Sequence, residues 1–185
     1  LTQPLRYEAI FSDGRVEFSR HDHDLDVHTQ IVVSPEDDIE LRRTTIANHS
    51  RTRKTLDITS YAEVVIAEQA TDKLHPAFSN LFVQTEIIEQ RRAILCTRRP
   101  RSEEEKNPWM LHVMAVHGTD IEQISYETDR SRFIGRGNTL ADAQAMGTPA
   151  NLFGTLSDSQ GSVLDPIAAV RSRIALEPEQ SATVD

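Results

Sequence analysis

The stretch YETDRSRFIGRGNTLADA, Tyr126 to Ala143, gathers three arginines and two glycines beside a strand end. Arg130, Arg132 and Arg136 carry planar bidentate donors that suit a phosphate, a carboxylate or paired sugar hydroxyls. Gly135 and Gly137 open backbone conformations closed to other residues, so a tight turn at IGRG would project Arg136 outwards. An extended backbone would put Arg130 and Arg132 on one face. Two readings stand side by side: a cradle for an anion or sugar, and a structural turn with charged edges.

Other segments carry chemistry-bearing residues. RHDHDLDVH, read as one strand, puts His21 and His23 on one face and Asp22, Asp24, Asp26 and His28 on the other. Two histidines two apart can ligate a metal. Alternating charge also blunts a sheet edge against unwanted pairing, so no metal is assigned. Trp109 follows Pro108 at the start of a strand; it reads either as a core residue or as a ring that stacks on a sugar. Asn48-His49-Ser50 matches a glycosylation sequon and is taken as a turn. Cys96, the single cysteine, rules out an intrachain disulfide and a cysteine-based zinc cluster, and its AILCTRR setting predicts a buried, inert thiol. No G-x-S-x-G elbow, dinucleotide fingerprint or Walker loop occurs. The acid runs at Glu36 to Asp38 and Glu103 to Glu105 read as solvated turns, so no catalytic residue is assigned.

The elements that must hold these residues follow a period of two. YEAIFSDGRVEFS alternates about an Asp13-Gly14 hairpin tip, where both residues can take positive φ. LDVHTQIVV, IELRRTTIANHS, TLDITSYAEVVIA, LFVQTEII, RAILCTR, WMLHVMAVH, DIEQISYET, IAAVRSRIAL and a final SATVD read as further strands. Short helical turns are expected at HPAFSNL and at TLADAQAM, the latter with Thr139 and Asp142 as a capping pair. RRPRSEEEKNP and GTPANLFGTLSDSQGS read as loops. The expected class is all-β: a large antiparallel β-sandwich with one or two short helices, spanning 1–185 as a single domain.

With 185 residues, 38% of them hydrophobic, the chain is long enough for a packed core. A net charge of −9 argues against a nucleic-acid partner, which needs a basic footprint, and against docking on anionic lipid. No apolar run approaches the roughly 18 residues that a membrane span needs, and no signal peptide is visible. The expected location is cytoplasmic. A start at Leu1 and an end just after a strand begins mark the chain as an expected piece of a larger multidomain protein.

HDHDLDVHTQIVVSPEDDIELRRTTIANHS, LDITSYAEVVI, HPAFSNLFVQTE, YETDRSRFIGRGNTL and VLDPIAAVRSRIAL, in that order, resemble one family. It is the N-terminal β-sandwich domain of the inverting glycoside phosphorylases, formerly glycosyltransferase family 36. Within it the similarity is greatest to the phosphorylase-like region of bacterial cyclic β-1,2-glucan synthases. The resemblance implies a galactose-mutarotase-like super-sandwich that supports an (α/α)6 catalytic barrel in the same polypeptide. It implies no cofactor, inorganic phosphate as co-substrate of the parent enzyme, β-glucan as a partner, and contacts within a homodimer. It is compatible with a parent protein anchored in the bacterial inner membrane. Arg130, Arg136 and Asn138 would face the barrel or the sugar-bearing cleft. Two other readings stay open. One is a self-sufficient carbohydrate-binding module using Trp109, Tyr126 or Tyr61. The other is a mutarotase-like enzyme pairing His112 or His117 with Glu127.

Overall fold

The computed structural model describes residues 3–100, 107–147 and 154–185. Strand accounts for 51% of the described residues and helix for 14%, in three antiparallel sheets, so the class expected from alternation is the one that forms. Two compact units result: 1–56 with 115–123 and 173–185, and 57–114 with 124–172. Among the described residues no helix is long and apolar enough to cross a membrane.

The first unit holds a six-stranded sheet ordered β1-β2-β3-β4-β12-β9. Its strands are Arg6–Ser12, Arg15–Asp22, Leu25–Val33, Glu40–Asn48, Ser181–Val184 and Val116–His117. Opposed residues share a face, so the register puts Tyr7, Phe11, Val16, Phe18, Val27 and Ile31 on one side. That face is buried at Ile46, Ala182 and Val184 and opens to solvent at Tyr7 and Phe11. At the first hairpin only Gly14 takes positive φ, not Asp13.

RHDHDLDVH is not one strand. The chain turns at His23-Asp24, with His23 in the left-handed region, and His21 lies directly across from Asp26. The polar run Arg20 to Asp24 offers no break in hydrophobic alternation to mark that turn. The charged groups of RHDHDLDVH pair within the segment, Arg20 with Asp22 and His21 with Asp26, and with neighbours outside it: His28 Nε2 lies 3.1 Å from Glu17 Oε2, and His49 Nε2 lies 3.1 Å from Asp26 Oδ2. Among the described residues no three His, Cys, Asp or Glu side chains group as a metal site.

Asp26 yields a pH prediction. Its bond to His21, followed by the charges of His21 and His49, holds the carboxyl below its ordinary value of 3.8. A depressed carboxyl stabilises the fold fully above its unfolded pKa, and that stability is lost as pH falls through the lower folded value. NMR titration should place Asp26 below 3.8, and His21→Ala should move it back up. An unmoved titration in that variant would disprove the attribution.

In the second unit β6 (Val83–Ile88), β7 (Ala93–Arg98) and β8 (Trp109–Val113) form one sheet in that order. Cys96 on β7 is fully buried, and desolvation pushes its thiol up to about 12, as an inert core residue requires. β5 (Lys54–Glu63), β10 (Ile121–Asp129) and β11 (Pro166–Leu176) form the third sheet, with β11 central. Ile167 to Val170 are wholly buried, which suits a near-continuous apolar run. β5 stops at Glu63, short of the VVIA tail expected to continue it. The helices are short: α1 (Gln69–Leu74), α2 (Pro76–Asn80) and α3 (Arg130–Ile134). α1 and α3 are absent from the sequence reading.

Candidate functional site

Asp129 ends β10 and caps α3, its Oδ1 accepting from the Ser131 amide at 2.8 Å and hydroxyl at 2.7 Å. Successive helical residues turn by about 100°, so α3 buries Phe133 and Ile134 while its arginines diverge. The two side chains pack with Ala143, Leu156, Ile167 and Ala169, and the Tyr61 ring lies 5.0 Å from that of Phe133. The helix ends at Gly135, whose amide donates to Ser131 O at 2.9 Å. TLADAQAM follows as two 3₁₀ turns, Leu140–Asp142 and Gln144–Met146, with the expected Thr139–Asp142 capping box in place.

Gly135 has φ 86° and ψ 161°, a region reserved for glycine. A Cβ there would stand 2.9 Å from Gln144 Cβ, whereas one at Gly137 would meet nothing within 4 Å. Gly135→Ala should therefore cost about 2–3 kcal/mol and Gly137→Ala less. Urea denaturation of the two variants checks this, and equal losses would refute the steric part.

The extended geometry that would put Arg130 and Arg132 on one face does not form. Arg130 donates from Nε to Glu63 Oε1 at 3.1 Å, and its Nη1 lies 3.7 Å from Asp165 Oδ2. Tyr61 donates to the same Glu63 oxygen at 2.6 Å. Burial, then Glu63, pushes the Tyr61 phenol well up; the Glu63 bond likewise raises Arg130. Arg130 thus ties α3 to β5. Arg132 reaches Ser157 Oγ at 3.3 Å. Arg136 and Asn138 are exposed on the glycine-flanked turn.

Beside this segment lies an open pocket of about 310 Å³, lined by Glu127, Arg132, Gln144, Ser157 and Arg171 among others. Glu127 is buried, with Oε1 accepting from the amides of Thr128 (3.0 Å) and Asp129 (3.1 Å) and from the Ser159 hydroxyl. Its Oε2 accepts from the Ser157 hydroxyl at 2.7 Å and amide at 3.4 Å. The 156–161 loop is pinned along β10 by further bonds: Leu156 N to Ser125 Oγ, Asp158 N to Tyr126 O, and Thr128 Oγ1 to Ser159 O. Arg171 donates to Thr59 Oγ1 (2.9 Å), Gly154 O (3.1 Å) and Ala145 O (2.7 Å), drawing three segments together.

Residues 1–185 match the family described as glycosyl hydrolase 94, supersandwich domain. The chain belongs to this family. The supersandwich domain is also 35% identical over 161 residues to the cyclic beta-(1,2)-glucan synthase NdvB of Rhizobium meliloti (strain 1021). That alignment takes in 87% of this chain and 6% of the synthase.

In this supersandwich domain the four singled-out residues fall in three settings. Arg130 is held by protein carboxylates, Arg136 and Asn138 sit together on the turn, and Trp109 stands on the β6-β7-β8 sheet, 68% exposed. Its exposure decides against the core reading. Glu127 is not drawn to a histidine: His112 Nε2 meets Ser60 Oγ at 2.9 Å, and His117 Nε2 lies 3.6 Å from Asp185. The burial of Arg98 and Arg171 is not foreseen in the sequence: Arg98, which opens the charged run RRPRSEEEKNP, is the buried last residue of β7. Arg171 had a signal, being a charge inside the apolar run IAAVRSRIAL.

Proposed function

We propose that this chain is a non-catalytic accessory domain of a β-glucan phosphorylase of the cyclic β-1,2-glucan synthase kind. It would support an (α/α)6 catalytic domain of the same polypeptide that performs inverting phosphorolysis or trims chain length. What carries the reading is the whole-length family match, joined to 35% identity with a synthase of which the chain covers 6%.

Inverting phosphorolysis needs a phosphate oxygen to reach the anomeric carbon from one side. A carboxylic acid protonates the departing oxygen on the other. Glu127, a buried acid of this chain, already accepts from five donors in holding its loop. A carboxylate so committed is suited to scaffolding rather than to passing a proton. Arg136 and Asn138 are the side chains of the glycine turn left open to a neighbouring domain or its glucan. Purified chain given inorganic phosphate and linear β-1,2-glucan should release no glucose 1-phosphate, and steady release would overturn the proposal. In the intact parent enzyme Arg136→Ala should slow phosphorolysis; an unchanged rate would remove the turn from this role.

A further inference from the structure

We propose that the outer face of the β6-β7-β8 sheet is a sugar-binding platform built on Trp109. The register makes this face explicit. Gln84 opposes Thr97, which opposes Trp109, so the three form one row across the strands. The next row runs Glu86, Leu95, Leu111. The reverse face carries the buried Val83, Thr85, Ile94, Cys96 and Arg98, so the sheet has one sealed side and one open side. Trp109 is 68% exposed on the open side and borders a groove of about 530 Å³. Gln84, Thr97, Arg99 and Asn107 share that groove.

A pyranose ring presents C–H groups on its faces and hydroxyls round its rim. An indole face accepts the first, and amides, a hydroxyl and a guanidinium serve the second. Among the described residues no hydrogen bond engages the side chains of Gln84, Thr97 or Asn107. A wholly apolar partner would bury these groups unpaired, which is costly. A simple anion would leave the indole unused. A neutral polyhydroxyl chain uses both, and Leu95 and Leu111 extend the apolar strip beneath it.

The identity of the sugar, a β-1,2-glucan, rests on the proposed function; the platform itself does not. Trp109 is the chain's one tryptophan, so its emission reports on this face alone. Linear β-1,2-gluco-oligosaccharides at millimolar concentration should shift or quench that emission saturably. Calorimetry should show affinity falling at least roughly tenfold in Trp109→Ala and partly kept in Trp109→Phe. Both variants should melt as the parent does, because the ring lies mostly in solvent. Flat emission with β-1,2-, β-1,3- and β-1,4-linked glucans alike would overturn the platform, as would calorimetric binding retained in Trp109→Ala. A response to β-1,3 or β-1,4 oligomers alone would support the platform and overturn the linkage. Failure here leaves the phosphorolysis test untouched.

Discussion

Glu127→Leu should lower stability by about 4 kcal/mol and the melting temperature by roughly 10 °C. The side chain is similar in size, so the loss is one of hydrogen bonding rather than of volume. Leucine would leave the Thr128 and Asp129 amides and the Ser157 and Ser159 hydroxyls without their acceptor. Each buried donor so stranded costs about 1–3 kcal/mol, and water reaching the neighbouring pocket recovers part of the sum. Glu127→Gln keeps one acceptor oxygen and lets a serine hydroxyl turn to accept, so about half the loss is expected. Thermal melting by circular dichroism orders the three proteins. A Glu127→Leu variant that melts with the parent would show that the 157–159 loop does not depend on this carboxylate.

The alternation that announces the strands says nothing of this clamp. Period-two patterning is a solvent-facing signal, and it marks β3 at Leu25–Val33, whereas β11, buried on both faces, is marked by the near-continuous apolar run of IAAVRSRIAL. Alternation failed where both faces share a character. The His23-Asp24 turn is polar throughout, and β5 leaves its sheet at Glu63 although apolar residues continue. α3 has five residues, too few to express a helical period. Its ends were nonetheless written in the chain, with a capping aspartate at 129 and a stop glycine at 135. Together these two ends place Arg130 and Arg132 on different sides of one helical turn. The partners of Arg130, Glu63 and Asp165, lie far off in sequence, and no local rule reaches them. The glycine turn was legible because glycine's backbone freedom is a local property. The exposure of Trp109 was not, because it depends on what the sheet leaves uncovered.

Asn48→Asp should be the more damaging near-isosteric change, at roughly 4 kcal/mol near neutral pH. Asn48 is fully buried at the end of β4. Its Nδ2 donates to Thr52 O (2.9 Å), Leu176 O (3.1 Å) and Glu177 O (3.1 Å), while Oδ1 accepts from the Ser50 amide (3.0 Å) and hydroxyl (2.7 Å). Its backbone adds bonds to Gln180 O and from the Glu179 amide. One amide thus joins the turn before β5 and the end of β11 to β4. It also explains the sequon: the nitrogen that a glycan would occupy is spent on three carbonyls. Aspartate would turn that donor into an oxygen facing three carbonyl oxygens. The acid would fold best protonated, so its folded pKa would rise above the unfolded one. Stability would then be greatest below the unfolded carboxyl pKa and would fall as pH rises through the raised folded value. Denaturant midpoints measured across acid to neutral pH should therefore converge on the parent's as pH falls. A constant gap, or no gap, would mean that the three carbonyls find other donors and that Asn48 does not hold this corner of the sheet.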